Sequence, residues 1–302
     1  MVNAGVAEDG LFTRDNLRAA LAAVCAATGL DDRGARLLRF TNNAVFELAH
    51  APAVVRIVGS VALRHRVGKV VRVASWLAEH DVPAVRLLPG VEQPVLVGEY
   101  AATVWAAVPR LDTPARPADL ARLLRRVHRL PPPADLPAWD PLDDVRRRIG
   151  EADGLSRDEL EFLVDRCDSV AARLAEVRFA LPSGFVHGDA HLGNLIPSPS
   201  GPLLCDFDSS CAGPPEWDLT PFAVGVSRFG EPVADYAELV AGYGVDVTRW
   251  AGFPVLRDLR ELKLITSVLP IMSSSPEVRP ELLRRLRDVR IGAVTARWNR
   301  YR

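Results

Sequence analysis

Over residues 13–29 apolar side chains recur at helical spacing, with Thr13 placed to cap the first turn and Gly29 to stop the last, so the pattern predicts an amphipathic helix. Between residues 36 and 60 the period changes. The apolar positions fall into short β-branched runs, LLRF, AVFELA and AVVRIVG, separated by Thr41-Asn42-Asn43 and by Ala51-Pro52, which predicts an antiparallel meander. A helix is expected over 63–80, ended at Asp81-Val82-Pro83, and further strands over 85–88, 95–100 and 103–108. Past Pro109 the spacing becomes helical over 117–130, 141–150 and 156–179, with a triple-proline linker at 131–133. A β-like stretch over 185–208 interrupts the helices, which resume from 221 to 302. The pattern therefore predicts an α+β chain in two lobes, a strand-rich 1–108 and a mainly helical 109–302.

Composition narrows the partners. The 302 residues carry 37 Lys+Arg against 38 Asp+Glu, a net charge of −1, which lacks the basic excess of a general nucleic-acid binder. Four scattered cysteines with no C-x-x-C pair do not make a disulfide framework, and the apolar stretch near the N-terminus is short and follows acidic residues. A cytoplasmic protein with no membrane partner is expected. Lys69 and Lys263 are the only lysines, so a phosphate-steering cation is expected to be an arginine.

The chemistry concentrates in Phe185-Val186-His187-Gly188-Asp189-Ala190-His191-Leu192-Gly193-Asn194, followed after a turn by Leu203-Leu204-Cys205-Asp206-Phe207-Asp208. An Asp five residues before an Asn, with a second Asp twelve residues beyond it at the end of a strand, suits phosphoryl transfer. Asp189 would orient and deprotonate an acceptor hydroxyl. Asn194 and Asp206 would be oxygen ligands for Mg²⁺, a hard cation that keeps several waters.

With H-G-D-x-H-x-x-N at 187–194 and D-F-D at 206–208, the chain resembles the aminoglycoside phosphotransferase family, a branch of the protein-kinase-like fold that includes choline kinase relatives. Gly213-Pro214-Pro215-Glu216-Trp217-Asp218-Leu219 and Val127-His128-Arg129-Leu130 are similar to further family segments, so the resemblance spans roughly residues 30–270. It implies a bilobal kinase fold, an antiparallel-sheet N-lobe and a mainly helical C-lobe, with ATP or GTP bound between the lobes and a small-molecule hydroxyl as acceptor. By the same resemblance Arg56, in Val54-Val55-Arg56-Ile57, would touch nucleotide phosphates, and Thr103-Val104-Trp105 would be the hinge strand. Val55, Trp105, Ala106 and Val108 are candidate walls of the base pocket. His187, Asp208 and Asp218 are expected to support loop backbone, and His191 is open between packing and loop support. The chain departs from the family at Val70, where a helix Glu often holds the strand cation. Glu47, placed across from Arg56 by an even-length turn at Ala51-Pro52, is the expected substitute, with Lys69 as an alternative cation.

No Walker A loop exists, since Gly68-Lys69 is followed by Val70, and the phosphate cradle falls to Thr41-Asn42-Asn43-Ala44, a loop without glycine. Three other readings stand beside a small-molecule kinase: a kinase acting on a Ser/Thr hydroxyl of a biosynthetic peptide, a catalytically silent kinase-like binding protein, and a metallohydrolase with Zn²⁺ on His187, His191 and Asp189, Cys205 or Asp208. The acceptor is expected to be neutral or at most singly positive, because residues 251–302 hold eleven basic and five acidic side chains.

Overall fold

A computed structural model describes residues 14–40, 43–58, 64–273 and 275–301, and the expected cap Thr13 lies outside them, as do Thr41 and Asn42 of the expected cradle. The chain forms two compact units that do not divide at one point: the sheet-bearing unit runs to Ala115 and takes in Gly193–Ser210, while the helical unit comprises Arg116–Leu192 and Cys211 onward.

In the sheet-bearing unit, α1 (Arg14–Thr28) buries Leu17, Ala20, Leu21 and Val24, the i, i+3, i+4, i+7 stripe that the apolar spacing encodes. This stripe packs on a five-stranded antiparallel sheet of β1 (Arg36–Phe40), β2 (Asn43–Glu47), β3 (Ala53–Val58), β4 (Val95–Val97) and β5 (Tyr100–Ala106), in the order β1-β2-β3-β5-β4. Alternation sorts the strand residues. Phe46, Val55, Ile57 and Val104 face α1, and Arg56, Thr103 and Trp105 face the other way. Helix α2 (Arg66–Glu79) sets Val67, Val70, Val73, Ala74 and Leu77 in the interior. Residues 85–88, expected as a strand, form only isolated bridges: Leu87 pairs with Trp105, and neighbouring Ala84 pairs with Leu204. The expected run 95–100 is likewise cut by a turn at Gly98, whose positive φ of 54° favours glycine.

The helical unit contains α3 (Pro117–Val127), α4 (Asp143–Gly150) and α5 (Arg157–Ala175). Helix α5 opens with a capping box: Ser156 Oγ accepts from Glu159 N at 3.3 Å, and Glu159 Oε2 accepts from Ser156 N at 2.7 Å. Strand β6 (Gly184–Val186) follows; the chain then enters the sheet-bearing unit for β7 (Leu195–Ile196) and β8 (Leu203–Leu204), and returns as β9 (Cys211–Gly213), which pairs with β6. Helices α6 (Glu216–Val224), α7 (Val233–Tyr243), α8 (Phe253–Thr266) and α9 (Arg279–Arg290) complete the unit. Helical patterning does not persist to 302 as expected. After Arg290 the chain runs without regular structure and is held by Arg285, whose guanidinium lies 3.8 Å from the Tyr301 ring centroid and 5.1 Å from that of Trp298. Among the described residues, no helix is long and apolar enough to cross a membrane.

Candidate active site

In the helical unit, the loop after β6 carries His187, Gly188 and Asp189, and its backbone is clamped from α6. Asp218 Oδ2 accepts from His187 N at 2.7 Å and Oδ1 from Gly188 N at 2.8 Å, while Trp217 Nε1 donates to the Gly188 carbonyl at 3.0 Å. Gly188 has φ 84°, a conformation most side chains avoid, which explains the glycine. Asp218 itself is fixed by His128, at the C-terminal end of α3, 3.0 Å away; the other ring nitrogen of His128 lies 2.8 Å from the Tyr243 hydroxyl. His187 is fully buried. With the loop held on both sides, the Asp189 carboxylate meets two basic groups. Arg260 Nη1 on α8 donates to Oδ1 at 2.9 Å, and His191 Nε2 lies 3.6 Å from Oδ2. Burial works to raise the Asp189 pKa, but His191 and Arg260 outweigh it and hold the carboxyl below its ordinary range.

The second group of residues belongs to the sheet-bearing unit. Hairpin β7–β8 pairs Leu195 with Leu204, and just beyond that pair Cys205 N donates to the Asn194 carbonyl at 3.0 Å, so Asn194 and the D-F-D segment leave the hairpin side by side. Asp206 sits at φ 68°, in the left-handed region, where Asp is one of the few tolerated side chains and where strain collects at functional positions. Phe207 is buried, with its ring 6.1 Å from that of Trp105. Asp208 forms an ion pair with Arg56 of β3, and its backbone carbonyl accepts from Lys69 Nζ of α2 at 2.5 Å. Burial and the adjacent Asp206 carboxyl push Asp208 up to about 6 in spite of both cations.

Several expected placements change. Glu47 does not oppose Arg56. The register pairs Val45 with Arg56 and Glu47 with Val54, because the turn is centred one residue earlier than Ala51-Pro52 implies, and Glu47 instead holds Arg36 of β1 at 2.5 Å. The strand cation is answered by Asp208, which was expected to hold loop backbone, while Val70 lies in the interior with 1% of its surface exposed. Val55 cannot share a wall with Trp105, since it faces α1 on the opposite side of the sheet. Trp105 is buried on the Arg56 face with Nε1 donating to Thr103 Oγ1 at 2.8 Å, Val108 lies half-buried past the end of β5, and Asn43 opens β2 opposite Val58 on the Arg56 face. Asn42 lies outside the described residues. Arg260 was missed as a partner of Asp189. No local signal marks it, since 71 residues separate the two.

Asn194 and Asp206 bring one neutral and one anionic oxygen donor to the same end of one hairpin, a donor pair that would suit a hard divalent cation completing its shell with phosphate and water. A zinc hydrolase site does not fit. Among the described residues no three His, Cys, Asp or Glu side chains come together as ligands, and Asp208 is held by Arg56.

Among solved structures, an amicoumacin kinase in complex with AMP-PNP, Ca²⁺ and Ami superposes with a TM-score of 0.71 at 13% identity, covering 95% of this chain and 98% of that one. A choline/ethanolamine kinase family protein from Mesorhizobium loti gives 0.63 at 18% identity, covering 93% and 94%. The aminoglycoside phosphotransferase APH(3'')-Id from Streptomyces rimosus gives 0.59 at 23%, covering 82% and 98%. The fold is thus the α+β, protein-kinase-like fold. No curated protein sequence matches the chain. The profile of the phosphotransferase enzyme family matches residues 37–259, a span that holds both groups of residues described above except Arg260, and the chain belongs to that family.

Proposed function

We propose that this phosphotransferase moves the γ-phosphate of ATP or GTP to a hydroxyl of a small molecule in a Mg²⁺-dependent reaction, with Asp189 facing the acceptor. The observation that carries this reading is the state of Asp189: an ionised carboxylate on a loop whose backbone is fixed by Asp218 and Trp217. A carboxylate held low is a weak base for a free alcohol. It suits a loose phosphoryl-transfer transition state, in which the hydroxyl proton leaves late and orientation matters more than basicity. Mg²⁺, held by Asn194 and Asp206, would neutralise charge on the phosphates. Arg56 and Lys69 supply further cations in the same unit, and Trp105 and Val108 are the candidate base contacts.

The acceptor is not a polycation in this reading. Five of the eleven basic side chains of residues 251–302 are engaged with carboxylates elsewhere in the helical unit: Arg284 and Arg285 with Glu281, Arg290 with Asp158, Arg257 with Asp258 and Arg300 with Glu231. Arg260, which turns instead to Asp189, brings positive charge where the acceptor hydroxyl would bind. A sugar, an antibiotic alcohol or a Ser/Thr hydroxyl on a biosynthetic peptide remains within this class. Nucleotide consumption with Mg²⁺ over a panel of neutral, anionic and polycationic alcohols tests the reading. A melting-temperature rise with Mg²⁺-nucleotide and turnover abolished by chelation are expected, and turnover indifferent to chelation would overturn the metal role. Binding of Mg²⁺-nucleotide with no turnover across the panel would favour a silent binding protein.

A further inference from the structure

Helix α3 sorts its side chains by charge as sharply as by burial. Leu120, Ala121, Leu123, Leu124 and Val127 face the interior, while Arg122, Arg125, Arg126 and Arg129 recur at i, i+3, i+4 and i+7 along the exposed side and just past its end. From Arg116 to Arg129 the chain carries five arginines and one carboxylate, in a protein whose net charge is −1. The carboxylates that answer them lie toward the start of the helix: Asp119 holds Arg122 at 3.0 Å, and Glu238 of α7 holds Arg116 at 2.5 Å. Beyond that point the balance fails. The guanidiniums of Arg125 and Arg129 make no hydrogen bond and no ion pair among the described residues. The dipole at the end of α3 favours cations there, but it does not remove the repulsion between like charges four residues apart.

The arginine side of α3 borders a hollow. Arg122, Arg125, Arg126 and Arg129, with Leu130 and with Gly242 of α7, line an open cavity of about 480 Å³, a volume suited to a small molecule. Gly242 sets its shape. A Cβ there would meet that of Ala121 at 2.8 Å, so the missing side chain lets α7 close on α3 and leaves bare backbone in the cavity wall.

We propose that this cavity is a binding site for a small ligand carrying several phosphate groups. Guanidinium forks pair with phosphate oxygens two at a time, and a compact polyanion meets several of the four arginines at once, which relieves the repulsion among them. A concave site of this volume admits such a ligand, whereas a duplex or a bilayer needs a broad basic field. The site goes beyond the proposed reaction, since none of its residues is assigned to nucleotide, metal or acceptor.

Modification of arginine by phenylglyoxal, mapped by peptide mass spectrometry, reads the site residue by residue, with the exposed Arg249 of the same unit as reference. A ligand at about ten times its dissociation constant leaves about a tenth of the site free, so tripolyphosphate at that level should slow Arg125 and Arg129 about tenfold and leave Arg249 unchanged. Sodium chloride at matched ionic strength should protect neither. In an Arg125→Gln/Arg129→Gln variant, which alters two exposed side chains, tripolyphosphate should no longer protect Arg122. Unchanged rates at Arg125 and Arg129, equal slowing at Arg249, or full protection of Arg122 in the double variant would overturn the proposal. Protection by an oligoglutamate of equal charge as strong as that by tripolyphosphate would assign the cavity to an acidic peptide. Protection by phosphatidylglycerol vesicles but not by tripolyphosphate would assign it to a membrane, and either result overturns the small phosphate ligand.

Discussion

In each unit one candidate site Asp meets an Arg far away in sequence, Asp189 with Arg260 and Asp208 with Arg56, and the two pairs behave differently. Asp189 with Arg260 is held below the ordinary carboxylate range, whereas Asp208 with Arg56 is pushed up to about 6. Burial opposes ionisation in both. What differs is the third group: His191 adds a donor beside Asp189, whereas Asp206 adds a second carboxyl beside Asp208. An arginine within reach does not decide how a carboxylate ionises; the local charge count does. The Asp189 carboxylate has its charge answered by Arg260 and His191 within its own unit. The D-F-D segment crowds two carboxylates together, a setting that a divalent cation relieves.

The largest effect should come from breaking the crowded side. Asp206→Ala removes the proposed anionic metal ligand, and turnover should fall by about 10³ at saturating Mg²⁺, measured as nucleotide consumption with an accepted alcohol. Intact turnover would remove the metal role. Asp189→Asn breaks the other side and should lower kcat by about 10² or more while the nucleotide dissociation constant stays unchanged, since in the proposed reading Asp189 faces the acceptor and not the nucleotide. A parallel loss of nucleotide affinity would instead move Asp189 into nucleotide binding.

A double-mutant cycle sharpens the comparison at smaller scale. Arg56→Met should raise the nucleotide dissociation constant about tenfold, and Asp208→Asn in that background should add much less than it does alone, because the residues are in direct contact. Additive effects would mean that Arg56 meets the phosphates independently of Asp208. For the Asp189 pair the variable is pH. A carboxyl whose folded pKa is depressed adds stability that is present above its unfolded value, near 3.8, and is lost as pH falls toward the folded value. Arg260→Gln should thus lower the melting temperature at pH 7, and its difference from the unmodified chain should shrink below about pH 4. A constant difference across that range would assign Arg260 a packing role only.

Much of this was legible in the sequence. The 17, 20, 21, 24 stripe of α1, the β-branched runs of β1 to β3 and the spacing of Asp189, Asn194 and Asp206 are local patterns, and local patterns determine local structure. The illegible parts depend on register or on distant chain. Residues 85–88 have the composition of a strand but find only bridging partners, at Trp105 and, through Ala84, at Leu204. Arg260 reaches Asp189 across 71 residues and Asp208 reaches Arg56 across 152, with no spacing to announce either.

The smallest expected effect is at Glu47, where register decides. A turn centred on Ala51-Pro52 would have placed this carboxylate opposite Arg56 and made it a support of nucleotide binding. The observed pairing moves it two residues along the same face, to Val54, and leaves it with Arg36 on an exposed pair whose side chains keep 71% and 41% of their surface in solvent. Exposed pairs of this kind contribute at most about 0.5 kcal/mol after screening. Glu47→Gln should therefore leave the nucleotide dissociation constant unchanged and the melting temperature nearly so, in contrast to Arg56→Met in the same assay. A loss of affinity comparable to that of Arg56→Met would mean that β2 and β3 pair in solution in the register the turn composition implies, and that Glu47 rather than Asp208 answers the strand arginine.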